Sequence, residues 1–198
     1  MIHILDLTFD LQEALDYYKV LEDDYQHLRW QFYEDHNNPS VIDPKNQVNK
    51  IWGWGMQTTY NDINFVYHPD LDPHNEDPSY FKDTPLVFGF FNKIKQHFKE
   101  PFRSFIQVFP PGEYIGKWLP TPPAHVKIMI PLVMNRSFSL TVLADTPVTV
   151  VPEPGNIYLI ESEYHNEWRN DGITTIAYLM FSVPIQYKDY LLSLKGHM

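Results

Sequence analysis

Cysteine is absent from this 198-residue chain, which excludes disulfide scaffolds, thiolate metal sites and cysteine nucleophiles and fits a cytoplasmic protein. Long apolar runs are missing too. No stretch of about eighteen uninterrupted apolar residues occurs, and the opening MIHILDLTFDLQEALDYY turns acidic at once, so neither a membrane span nor a secretory leader is expected. Basic residues are scarce. Fifteen Lys and Arg against 25 Asp and Glu give a formal net charge of −10, which argues against nucleic acid as a partner because phosphate binding needs clustered cations. Serine nucleophile elbows, phosphate-cradling glycine loops and His-Glu-x-x-His sequences do not occur. Paired carboxylates such as Asp23-Asp24 and Glu76-Asp77 lie in polar stretches where nothing would raise a pKa, so they read as solubility.

What is present is a core. Hydrophobic residues make up 43% and aromatics 16% of the chain, enough for one domain over residues 1–198. Seventeen prolines against eight glycines point to many short elements joined by ordered turns. Ile2 to Leu7 alternates like a strand, and Asp10 can cap a helix in which Leu11, Ala14, Leu15, Tyr18, Leu21, Tyr25 and Leu28 recur on one face. Residues 33–83 read as loops and short strands. Within them, Trp52-Gly53-Trp54-Gly55 joins two large rings to glycines that permit close backbone approach, so it reads either as part of a ligand pocket or as an aromatic lid over a barrel end. His68-x-Asp70 has the spacing of a metal-binding pair, but Pro69 separates the two and the context reads as an acidic turn.

A helix is expected over Pro85 to Phe98. Strands follow at Phe102 to Phe109, Tyr114 to Trp118, Val126 to Val133, Phe138 to Leu143, Val148 to Val151, Asn156 to Ile160 and Ile173 to Val183. So many short strands at this spacing predict a sandwich or barrel. The chain thus divides into a helical and loop region over 1–100, a β core over 101–184 and a C-terminal helical tail over 185–198.

Lys127-Ile128-Met129-Ile130-Pro131-Leu132-Val133-Met134-Asn135, then Pro154-Gly155 ten residues before His165, then Asn170 and an apolar final strand, resembles the aspartyl/asparaginyl β-hydroxylase branch of the iron(II)/2-oxoglutarate oxygenases. The resemblance implies a mainly β fold with flanking helices: a double-stranded β-helix, the jelly-roll barrel that cupins share. It also implies a facial iron site in which His165 is the distal histidine. The proximal His-x-Asp falls on Lys117-Trp118-Leu119, where neither a lysine ammonium nor a leucine can serve. The arginine that clamps 2-oxoglutarate falls on Thr175, and the arginine and histidine of the preceding strand fall on Lys127 and Met129.

The expected function is therefore a binding protein on an oxygenase scaffold whose metal and cosubstrate motifs have degenerated, with a small molecule or a protein as its ligand. Two alternatives stand beside it. One is an active Fe(II)/2-oxoglutarate hydroxylase of an amino-acid side chain or small metabolite, with His165, His125 and Glu161 or Glu163 as a non-standard metal set. The other is a metal-free, cupin-like domain that holds a small anion. The candidate ligand-binding residues are Lys117, Trp118, Lys127, Asn135, Asn170 and Thr175, and the cofactor is either none or Fe(II) with 2-oxoglutarate.

Overall fold

The computed structural model describes residues 1–31, 51–58, 77–118, 124–161 and 163–198, with the backbone alone for residues 30, 31, 117 and 118. In chain order the strands are β1 (Ile2–Ile4), β2 (Asp6–Thr8), β3 (Trp30–Gln31), β4 (Trp52–Gly55), β5 (Gln57–Thr58) and β6 (Lys82–Asp83), then β7 (Phe102–Phe109), β8 (Tyr114–Trp118), β9 (His125–Val133), β10 (Phe138–Leu143), β11 (Val148–Val150), β12 (Tyr158–Glu161), β13 (His165–Asn170), β14 (Ile176–Pro184) and β15 (Lys195–His197). The helices are α1 (Leu11–Asp24), α2 (Gly89–His97) and α3 (Lys188–Ser193). No helix among the described residues is long and apolar enough to cross a membrane.

Strand order defines the architecture. β7 to β14 distribute between a seven-stranded sheet, β1-β12-β9-β14-β7-β4-β3, and a four-stranded sheet, β11-β10-β13-β8. Apart from the β10–β11 hairpin, successive strands cross from one sheet to the other, which makes the fold a double-stranded β-helix with all ladders of the two sheets antiparallel. β9 and β14 run through the middle of the larger sheet and are apolar almost throughout, as a strand covered on both faces must be. Pro131 interrupts β9 without breaking it, because the β9–β14 register shifts at Ala177/Tyr178, beside the position where the missing N–H would have bonded.

Two cores result. Between the sheets lie Phe109, Ile115, Met129, Phe138, Leu140, Tyr158, Trp168, Tyr178 and Met180. Behind the larger sheet, Ile106, Val108, Val126, Ile128, Ile130, Leu159, Leu179 and Phe181 pack against α1, α2 and Leu191 of α3. Asp10 caps α1 as the sequence indicates, accepting from the backbone N–H groups of Gln12 (2.9 Å) and Glu13 (3.1 Å).

Three elements differ from the sequence reading. α2 begins at Gly89, four residues after Pro85, following a turn in which Thr84 and Leu86 carry the hydrogen bonds. The Trp-Gly stretch is a strand of the larger sheet rather than a lid, with Trp54 fully buried on the helix side and its indole N–H donating to Tyr25 O at 2.9 Å. β13 is a strand where none was expected, since its sequence HNEWRN carries no apolar alternation.

Candidate functional site

One end of the barrel is where β7, β9 and β13 begin and β8, β10, β12 and β14 finish. Side chains on a strand alternate between faces, so burial identifies which residues aim between the sheets. On β13 the buried residues are Asn166, Trp168 and Asn170. His165 therefore shares the outer face with Glu167 and Arg169, opposite Leu143 of β10. The inward residue at the mouth is Asn166, whose Oδ1 accepts from the Trp168 indole N–H at 2.7 Å. Sequence reasoning passed over Asn166, because an amide at a strand's inward position gives no apolar signal.

Glu161 ends β12 on the helix side of the larger sheet. Its buried carboxylate accepts from His3 Nε2 and Lys188 Nζ, both at 2.9 Å, with the Met1 amino nitrogen at 3.5 Å. It clamps β1 and α3 to the barrel. Among the described residues no three His, Asp or Glu side chains gather in a set able to hold a metal ion. His125, His165 and Glu161 are thus not brought together as a three-donor set. The His68-x-Asp70 pair, Leu119 and the side chains of Lys117 and Trp118 lie outside the described residues; the Lys117-Trp118 backbone ends β8, with Trp118 opposite Asn166.

Deeper in the barrel the space between the sheets is filled. Tyr178 stacks on Trp168 with ring centroids 5.2 Å apart and lies 6.1 Å from Phe138, which meets Phe109 edge-on at 5.8 Å. Burial pushes the Tyr178 hydroxyl well above its ordinary pKa, and it donates to Gln107 Oε1 at 2.5 Å. Replacing Tyr178 by Phe is expected to cost about 1–2 kcal/mol, by leaving the Gln107 carbonyl buried without its donor; chemical denaturation measures this.

The inner wall of the mouth is basic. Val126 and Ile128 of β9 belong to the helix-side core and Met129 to the inter-sheet core, so His125 and Lys127 share the inward face with Met129. Opposite them on β14 are Pro184 and Ser182. Beside Ser182, β7 bulges, its register shifting between Phe105 and Phe102, and Arg103 adopts a left-handed backbone with φ of 53°. Bulges re-aim side chains, and a non-glycine residue in this region costs of order 1 kcal/mol. The Phe102 ring stands edge-on to His125 at 5.7 Å, and the Arg103 guanidinium lies 5.7 Å from the Phe81 ring, which itself packs on Phe102. Burial, then the charges of Lys127 and Arg103, bring His125 down to about 3. Burial, then Arg103, bring Lys127 down to about 8. At neutral pH the imidazole is neutral and Lys127 is charged.

Asn135, Asn170 and Thr175 lie at the opposite end. Asn170 Nδ2 donates to the carbonyls of Phe109 (2.9 Å), Pro110 (3.0 Å) and Thr174 (3.0 Å), and Asn135 Nδ2 donates to Asn170 Oδ1 and Thr174 O, both at 2.9 Å. Gly172 leaves room for this, since a Cβ there would fall 2.6 Å from the Asn135 amide. These two amides tie turns together. Thr175 is exposed immediately before β14, and the next residue, Ile176, is the one that enters the inter-sheet core.

No protein-family model matches the sequence, and no curated protein does. Among solved structures, it is similar to an oxidoreductase of the 2OG-Fe(II) oxygenase family from Burkholderia pseudomallei (19% identity, TM-score 0.37, 41% of this chain and 42% of that one). It is also similar to a cupin domain from Bordetella pertussis (16% identity, TM-score 0.34, 43% and 83%) and to a prolyl-4-hydroxylase from Pseudomonas putida (15%, 0.36, 41% and 49%). The match thus spans less than half the length of either oxygenase.

Proposed function

We propose that this chain is a binding protein on a double-stranded β-helix, which holds a small anion at the barrel mouth and does not run iron-dependent oxygenation. The observation that carries the reading is that His125 and Lys127 share the inward face of β9 beside the β7 bulge, close enough to Arg103 for its charge to act on both. Oxygenation needs open metal positions held by imidazole and carboxylate donors. The described inward side chains at this mouth are instead basic groups and an amide. A carboxylate or phosphate would accept from the Arg103 fork and the Lys127 ammonium, while neutral His125 offers one ring N–H. A bound anion would also offset the burial and, after it, the Arg103 charge that depress Lys127.

Burying the Lys127 ammonium beside Arg103 opposes folding. Lowering Lys127 from 10.5 to about 8 corresponds to about 3 kcal/mol against the charged, folded state. Lys127→Met should therefore be about 1–3 kcal/mol more stable than the parent at pH 7 without anion, as expected when a functional group is retained at the expense of stability. Parent protein melted in phosphate or acetate, against chloride at equal ionic strength, should gain about 2.7 kcal/mol at about a hundred times the dissociation constant. Lys127→Met should lose that gain. Equal gains in both proteins would overturn the anion reading; stoichiometric Fe(II) uptake under anaerobic conditions with consumption of 2-oxoglutarate would overturn the non-catalytic one.

A further inference from the structure

We propose that Arg29, held over the Trp52 ring, forms a second oxyanion site, on the helix side of the larger sheet and separate from the barrel mouth, which takes the two-oxygen edge of a carboxylate or phosphoryl group. Arg29 follows the helical turn Gln26–Leu28 after α1. Its guanidinium carbon lies 3.8 Å from the centroid of the Trp52 ring and 5.0 Å from that of Trp54. Both indoles are themselves held. Trp54 is fully buried, bonded through its N–H to Tyr25 O, and meets Tyr18 edge-on at 6.0 Å and Trp52 edge-on at 5.2 Å. The guanidinium is thereby held against two fixed rings before any ligand arrives, so less side-chain entropy remains to be lost on binding.

The second observation is an orphan donor. Arg29 Nε is buried and has no hydrogen-bond acceptor among the described residues. A guanidinium carries five N–H donors and no acceptor, and leaving one buried and unmade is costly, so the site has a place for an acceptor that the described residues do not fill. The fork geometry of a guanidinium suits two oxygens in one plane.

The test is a titration of the Arg29 Nε–H resonance by nuclear magnetic resonance, the peak being identified by its loss in Arg29→Lys. Sodium acetate and inorganic phosphate are added in separate series against chloride at matched ionic strength. A saturating shift in at least one series, with none in chloride, is expected. Saturation by acetate alone assigns a carboxylate, and by phosphate alone a phosphoryl group. Arg29→Lys keeps the charge but loses the fork, and should weaken binding at least about tenfold when followed through neighbouring backbone amides. Arg103→Gln should leave the Arg29 curve unchanged. Identical drift in all three salts, undiminished binding in Arg29→Lys, or loss of the response in Arg103→Gln would each overturn the assignment. None of these outcomes bears on the barrel mouth, which is read by the melting behaviour of Lys127→Met.

Discussion

Glu161→Gln is expected to unfold about 3–5 kcal/mol more easily than the parent at pH 7, a drop in Tm of about 6–20 °C for a chain of this size. The carboxylate is 4% exposed, and burial alone would raise its pKa. Hydrogen bonds from His3 and Lys188, with the charge of the chain terminus and a contact to Glu163, outweigh that and hold it at about 2 against an ordinary 4.5. Glutamine keeps the shape but removes the charge that balances Lys188, leaving an ammonium at the junction of β1, β12 and α3 without its counterion. The sign of the pH dependence follows. A carboxylate depressed on folding contributes stability that is fully present above about pH 4.5 and is lost as pH falls through about 2. Urea midpoints taken from pH 7 down to pH 2 should therefore fall more steeply for the parent than for Glu161→Gln, with the two curves converging at the acid end. Parallel curves would mean that the clamp contributes nothing.

How much of this was legible beforehand depended on which way each residue's chemistry and its burial agreed. β9 and β14 are apolar on both faces, so their sequence announces a central strand. Asp10 before Leu11 announces a helix start because only a short acceptor side chain can reach the first free N–H groups. β13 was illegible for the converse reason: its inward positions are Asn166, Trp168 and Asn170, two of them amides, which bury only because Trp168 and the turn carbonyls satisfy them. The family resemblance makes His165 the distal ligand but says nothing of which face of β13 it occupies. Without the strand there is no alternation, and without alternation a one-residue difference between His165 and Asn166 cannot be seen. Glu161 shows the same limit from another side. Its partners, His3 and Lys188, are 158 and 27 residues away, and no spacing rule links a strand end to a chain terminus and a distant helix.

Asn170→Ala is the second substitution expected to cost several kcal/mol, and it tests whether the far end of the barrel is a structural knot rather than a ligand site. One amide joins five partners there: the carbonyls of Phe109, Pro110 and Thr174, the Asn135 side chain and the Gly172 N–H. Asn170 is 0% exposed, so its removal leaves buried groups at the β7, β13 and β14 turns without partners. At about 1–3 kcal/mol for each group left bare, and with partial rearrangement of Asn135 toward Thr174, a loss of about 3–5 kcal/mol is expected. Asn170→Asp separates this from a simple loss of volume. Aspartate fills the same space and can still accept from Asn135 and Gly172, but when ionised it turns a negative oxygen toward three carbonyl oxygens, which raises its folded pKa. Its stability should then rise as the solution is acidified through the range where that carboxyl takes up a proton, because the protonated form regains one donor. This is the reverse of the Glu161 contribution. Urea midpoints for Asn170→Asp that fall with acid as steeply as those of the parent would show that the amide donor is dispensable, and that Asn170 is free to serve a ligand instead.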